Sequence, residues 1–98
     1  MEENIVNAIL LWTGYKSKCF PVRDDQLIID KYGLADGNKL LIEIKEYEEY
    51  FYKSKAYQNA KDLITMAEIS KNDFLVKYPT ANSLMCEALA WCYTFDCK

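Results

Sequence analysis

The chain has no histidine, a single arginine, three glycines and two prolines among its 98 residues. Each scarcity removes a class of chemistry. General acid–base and nucleophilic catalysis recruit histidine more often than any other side chain. Ser-His, Cys-His and histidine-ligated metal arrangements are therefore all excluded. Three scattered glycines build no P-loop, no dinucleotide fingerprint and no calcium loop. There is no basic cluster, and the net charge is −3. Phosphate binding is dominated by Lys and Arg, so nucleic acid is not the expected partner. The longest apolar run near the start, residues 5–12, is far too short to span a bilayer. The opening Met1-Glu2-Glu3 is acidic where a secretory signal is basic. The expectation is a cytoplasmic protein that meets neither nucleic acid nor membrane.

What is present is ordinary globular material. Apolar residues make up 51 % and charged residues 28 % of the chain, which argues against disorder. A chain of this length buries roughly two-thirds of its unfolded surface. It is expected to form one helical domain over 1–98 without help from a disulfide or a metal. Cys19, Cys86, Cys92 and Cys97 have no tight ligand pair among them, and zinc sites usually show one. They read as free thiols acting as small buried or half-buried hydrophobes. No cofactor or metal is implied.

Helical periodicity runs through nearly the whole sequence. A first helix is expected over about 4–15, with Ile5, Ile9 and Trp12 on one face. A second begins at Asp24 or Asp25, either of which can cap it, and ends at Gly33. It carries Leu27, Ile28 and Tyr32 inward. Residues 34–37 read as a turn signalled by Asp36-Gly37. The third and clearest helix places Leu40, Ile44, Tyr47 and Phe51 in register. Residues 54–58 read as a loop or a bend. A fourth helix over about 59–68 aligns Ala60, Leu63, Ile64 and Ala67. Ser70, with Asp73 three residues on and Ile69 and Phe74 as a staple, signals a break and a short fifth helix up to Tyr78 and Pro79. The last helix follows a cap at Thr80 or Asn82 and aligns Leu84, Ala88, Trp91 and Phe95, with Met85, Leu89 and Cys92 widening the stripe. The expected fold is an all-α, compact bundle of five to six short helices, its core built by the first, third and last around Trp12 and Trp91. Trp91→Ala is then expected to cost about 3–5 kcal/mol.

Candidate chemistry is thin. Asp24 and Asp25 are adjacent, and adjacent helical residues do not share a face; capping accounts for both. Arg23 is the one side chain able to fork onto a phosphate or carboxylate, and it also reads either as a solvated loop residue or as a surface ion pair with a neighbouring helix. No catalytic residue is assigned and the chain is not expected to be an enzyme. The distinctive stretch is 43–57, EIKEYEEYFYKSKAY, with four glutamates and four tyrosines. Tyr47 and Phe51 belong to the apolar stripe. Glu43, Glu46, Glu48, Glu49, Tyr50 and Tyr52 form the candidate contact surface. Tyrosine supplies contact area at low entropy cost, and glutamates beside it suit a basic protein partner. The same residues also read as a solvated helix face whose tyrosines pack their rings and expose their hydroxyls.

In size, acidity, Lys-rich composition and this Glu/Tyr stretch, the chain is similar to the immunity proteins of bacterial contact-dependent inhibition and colicin-like toxin systems. That resemblance implies a small acidic inhibitor that covers the basic active site of a toxin nuclease. No site residue is carried over from that family. Two other readings stand beside it: a structural or adaptor subunit that buries an apolar face in an obligate oligomer, and a histidine-free enzyme working through carboxylates and tyrosines.

Overall fold

Glycine at position 33 divides what would otherwise be one long helix. In the computed structural model, which describes residues 3–97, helix α2 (Asp25–Tyr32) ends at Gly33 and α3 (Leu34–Phe51) starts directly after it. Gly33 adopts φ 86°, ψ 167°, a conformation closed to residues with a Cβ. The remaining helices are α1 (Glu3–Thr13), the single turn α4 (Ala56–Asn59), α5 (Leu63–Lys77) and α6 (Ser83–Cys97). About three-quarters of the chain is helical and the described residues contain no strand, so the fold is an all-α bundle. Its radius of gyration, 13.1 Å, is that of a compact domain of this length.

The expected turn at 34–37 is helix instead. Gly37 lies inside α3 and is buried against α2; a Cβ there would sit 3.1 Å from the Ile29 Cα and 2.9 Å from its Cδ1. The glycine serves close approach of two helices, and the Asp-Gly turn signal is overridden by that packing. The caps follow the sequence better. Asp24 Oδ1 accepts from the Gln26 N–H at 3.0 Å, and Asn82 Oδ1 accepts from the Leu84 N–H at 2.8 Å. Pro79 follows the end of α5, as expected.

Helix α6 is central, through the side of its expected stripe that carries Met85, Ala88, Leu89 and Cys92 and not through Trp91. Met85, Cys86, Ala88, Leu89, Cys92 and Tyr93 are buried, while Leu84 and Phe95 are exposed and Trp91 is only half-buried. The buried aromatic is Tyr93. Its hydroxyl donates to the Ser54 carbonyl at 2.7 Å and accepts from the Tyr57 N–H at 3.1 Å. A helix so apolar offers a wide stripe, and the part of it carrying Ala88, Leu89 and Cys92 is the part that is buried as α6 packs on α1 and α5. Trp12, by contrast, is buried as expected, and its Nε1–H donates to Asp25 at 2.8 Å.

Helix α5 likewise departs from expectation. It runs unbroken through Ser70, which is fully buried and donates to the Ala67 carbonyl at 3.0 Å. A serine satisfied by its own helix needs no chain break. The true cap is Asp62, whose Oδ1 accepts from the Thr65 N–H at 2.7 Å. That bond holds the Asp62 carboxyl below its usual range. The inward face of α5 is Met66, Ser70 and Phe74; Leu63 and Ile64 point out. Phe74 stands among Phe51, Tyr78, Tyr47 and Tyr50 at centroid distances of 4.8–6.3 Å, edge-on to Tyr47 and Tyr50 and tilted against the other two. Of the cysteines, Cys86 and Cys92 are buried and Cys97 half-buried, but Cys19 is exposed in the loop after α1 and plays no packing role.

Candidate functional site

The 43–57 stretch occupies the last turns of α3 and the turn that follows, and the structure divides its six candidate residues between two sides. Glu46 and Glu49 are exposed. Glu43 is half-buried and accepts from the Tyr47 hydroxyl at 3.1 Å. Burial, reinforced by that bond, pushes the Tyr47 hydroxyl up to about 12. Tyr50 is half-buried between Phe74 and Tyr78, with the Lys77 and Lys53 ammonium groups 4.8 and 5.6 Å from its ring centre. A ring flanked by two cations is already engaged in cation–π contact.

Glu48 and Tyr52, four residues apart, face the other way and converge on Arg23. Arg23 has a left-handed backbone, φ 53°. Its Nη2 donates to the Tyr52 hydroxyl at 2.7 Å and to Asp96 Oδ2 at 2.5 Å, while Nε lies 3.1 Å from Glu48 Oε2. That last contact is ionic and not a directed hydrogen bond: among the described residues, neither buried atom has a hydrogen-bond partner. Tyr52 in turn donates to Asp96 at 2.5 Å. Burial raises Glu48 above its ordinary value, with Asp96 adding to the effect and Arg23 opposing it. Burial and the bond to Asp96 raise Tyr52 strongly. Cys92 is close by, its thiol pushed up to about 11 mainly by burial.

This cluster joins the loop after α1 to α3 and α6, and that is its chemistry. The guanidinium is taken up by two carboxylates and a phenol. None of its members lines a hollow described for this fold. The sequence offered Arg23 as an ion-pair candidate; Asp96, its partner 73 positions away, carried no local signal. Among the described residues no group of three or more His, Cys, Asp or Glu is placed to hold a metal, and no helix is long and apolar enough to cross a membrane.

A broader electrostatic pattern emerges once α2 and α3 are seen as a packed pair. Residues 24–49 hold eight of the fifteen Asp and Glu against three Lys, a net of −5, and the rest of the chain is +2. On this pair Asp30, Asp36, Glu46 and Glu49 are exposed. Asp25 is partly neutralised: Lys45 at 2.7 Å and the Trp12 indole hold its carboxyl below the usual range. The glutamates of the 43–57 stretch are thus one part of an acidic α2–α3 unit that begins at Asp24. No known protein family matches the chain, and neither a curated protein nor a solved structure matches it significantly.

Proposed function

We propose that this protein is a stoichiometric protein-binding module, not an enzyme, whose acidic α2–α3 unit docks on a basic protein partner. In its sharpest form it is an immunity-type inhibitor covering the cationic active site of a toxin nuclease. The observation that supports this reading is the segregation of charge, −5 over residues 24–49 against +2 elsewhere. A field of one sign concentrated on one part of a surface steers an oppositely charged partner and fixes its orientation. Glu46 and Glu49 are the residues best placed for that role, with Asp30 and Asp36 exposed elsewhere on the same helical pair. Glu43 and Tyr50 flank them. Glu48 and Tyr52 act indirectly, by holding α3 against the Arg23 loop.

The test is a pull-down from the native host at low salt, identification of the bound protein, and stopped-flow association with the purified partner. A basic partner is expected. Glu46→Lys with Glu49→Lys slows association, and the effect shrinks as salt rises, because exposed charges are screened beyond about 8–10 Å. Folding is unaffected, since surface changes stay within about 0.5 kcal/mol. A neutral or acidic partner, or an association rate indifferent to both reversals, refutes the proposal.

A further inference from the structure

Leu63, Trp91 and Phe95 line one hollow, and by helical spacing Ile64 shares a face with Lys71 and Leu84 a face with Trp91, two turns along each helix. Leu63 and Ile64 on α5 are 46 and 79 % exposed, Leu84 and Phe95 on α6 are 38 and 39 % exposed, and Trp91 is half-buried between them. Helices α5 and α6 run antiparallel, and three shallow hollows of about 170, 260 and 220 Å³ follow one another along their seam. The first and second share Trp91 and Thr94; the second and third share Lys71 and Glu87. They form one groove as long as α6, roughly 22 Å for 15 residues at 1.5 Å each. Its floor is small: Ala67 and Ala90 in the middle, Ala81 and Cys86 toward the far end.

We propose that this groove takes a second copy of the same chain, about a twofold axis running along it. Such an axis lays α5 of one copy over α6 of the other and keeps every residue at its own height. The pairs already level with one another across the groove are then the pairs that meet. Leu63 is level with Trp91 and Phe95, so apolar meets aromatic at one end. Lys71 is level with Glu87, so opposite charges meet at the centre, twice. Glu87 is half-buried and belongs to no ion pair among the described residues; its contact from the Tyr15 hydroxyl is long, at 3.5 Å. Among the described residues Lys71 forms an ion pair with the largely exposed Glu68 alone, at 3.1 Å. A second copy supplies each with a partner of the right sign, the self-complementarity that an isologous interface requires.

The area fits as well. Taking about 180 Å² for a fully exposed large apolar residue, the four exposed side chains present roughly 360 Å² before Trp91 is added. One side of a standard interface is about 800 Å², of which roughly 450–500 Å² is apolar. Helix α2 packs on α1 and α3 and not on the groove helices, so its carboxylates lie away from the α5–α6 seam. Two copies therefore join without opposing the carboxylates of α2. The inference is independent of the basic-partner reading.

Sedimentation velocity on the full 98-residue chain over a wide concentration range tests it, with a circular dichroism melt of every variant. A concentration-dependent species of twice 11.5 kDa is expected. Ile64→Glu, at a position 79 % exposed, abolishes that species and leaves the melt of the monomer unchanged. Lys71→Glu and Glu87→Lys each weaken association by about tenfold or more, since each places like charges opposite one another twice. An equimolar mixture of the two recovers a heterodimer. A chain that stays monomeric throughout overturns the proposal. So does a dimer indifferent to Ile64→Glu, or a mixture no tighter than its components.

Discussion

Exchanging the roles of two aromatic residues in α6 has a measurable consequence. Tyr93 is buried and its hydroxyl bridges the Ser54 carbonyl and the Tyr57 N–H; Trp91 is half-buried, its ring 5.6 Å from that of Tyr15. Tyr93→Phe removes one oxygen and nothing else. It leaves a buried carbonyl and an N–H without their partner, at about 1–3 kcal/mol for a buried polar group left unsatisfied. With two groups affected, about 2–3 kcal/mol is expected, a fall in Tm of roughly 10–20 °C for a domain of this size. Tyr93→Ala adds a cavity beside Phe51 and approaches the whole stability of a small domain. Trp91→Ala deletes a larger ring, yet water already reaches that ring, so about 1–2 kcal/mol is expected in place of the 3–5 of a fully buried one. Urea unfolding followed by far-UV circular dichroism at low protein concentration separates the three variants. The reasoning is refuted if Tyr93→Phe is within 0.5 kcal/mol of wild type, an order-of-magnitude limit for neutral changes, or if Trp91→Ala proves costlier than Tyr93→Ala.

Three further outcomes are expected. Glu48 is raised above its ordinary value of 4.5 by burial, so its folded form takes up a proton before its unfolded form does. The stability linked to that proton is present below 4.5 and lost as pH rises through the folded value. Wild type should gain on Glu48→Gln as pH falls from neutral toward 4.5, and a pH-independent difference in Tm would contradict this. Under native conditions a thiol reagent should modify Cys19 quickly and leave Cys86 and Cys92 untouched, because both are buried and Cys92 is pushed up to about 11. In denaturant without reductant four thiols should react, and a count of two or fewer would point to disulfides. Gly33→Ala should cost about 1–3 kcal/mol through its backbone alone, since no atom beyond its chain neighbours lies within 4 Å of the added Cβ and the φ of 86° is what resists it. An unchanged urea midpoint would show that the joint between α2 and α3 relaxes freely.

The fold class was legible because helical period and caps are local properties. Asp24, Asn82, Gly33 and Pro79 each mark a boundary that the chain uses. Which face turns inward was not legible where helices are apolar on several sides. In α6 the difference between Trp91 and Tyr93 depends on distant partners, Phe51, Ser54 and Tyr57 around the Tyr93 ring and hydroxyl, and not on spacing. Ser70 and Gly37 misled for a related reason. Each is a good local punctuator, and each is overruled by a neighbour: the Ala67 carbonyl for one, Ile29 for the other. At the candidate surface, spacing alone separates Glu48 and Tyr52 from Glu43, Glu46 and Tyr50, but Asp96 lies too far along the chain to be paired with Arg23 by eye.

The single-residue joint at Gly33 also bears on the order in which the molecule assembles. Contact between Ile29 and Gly37 closes a loop of eight positions, whereas contact between Tyr15 and Glu87 closes one of 72. The longer closure costs about 2 kcal/mol more chain entropy. Helices α2 and α3 therefore meet while α1 and α6 are still searching for each other, and the unit carrying most of the acid acquires its shape first. φ-values near one at Ile28 and near zero at Ile9 would record that sequence of events, and the reverse pattern would exclude it. Substitutions along the α5–α6 seam, which closes later, should then speed unfolding more than they slow folding.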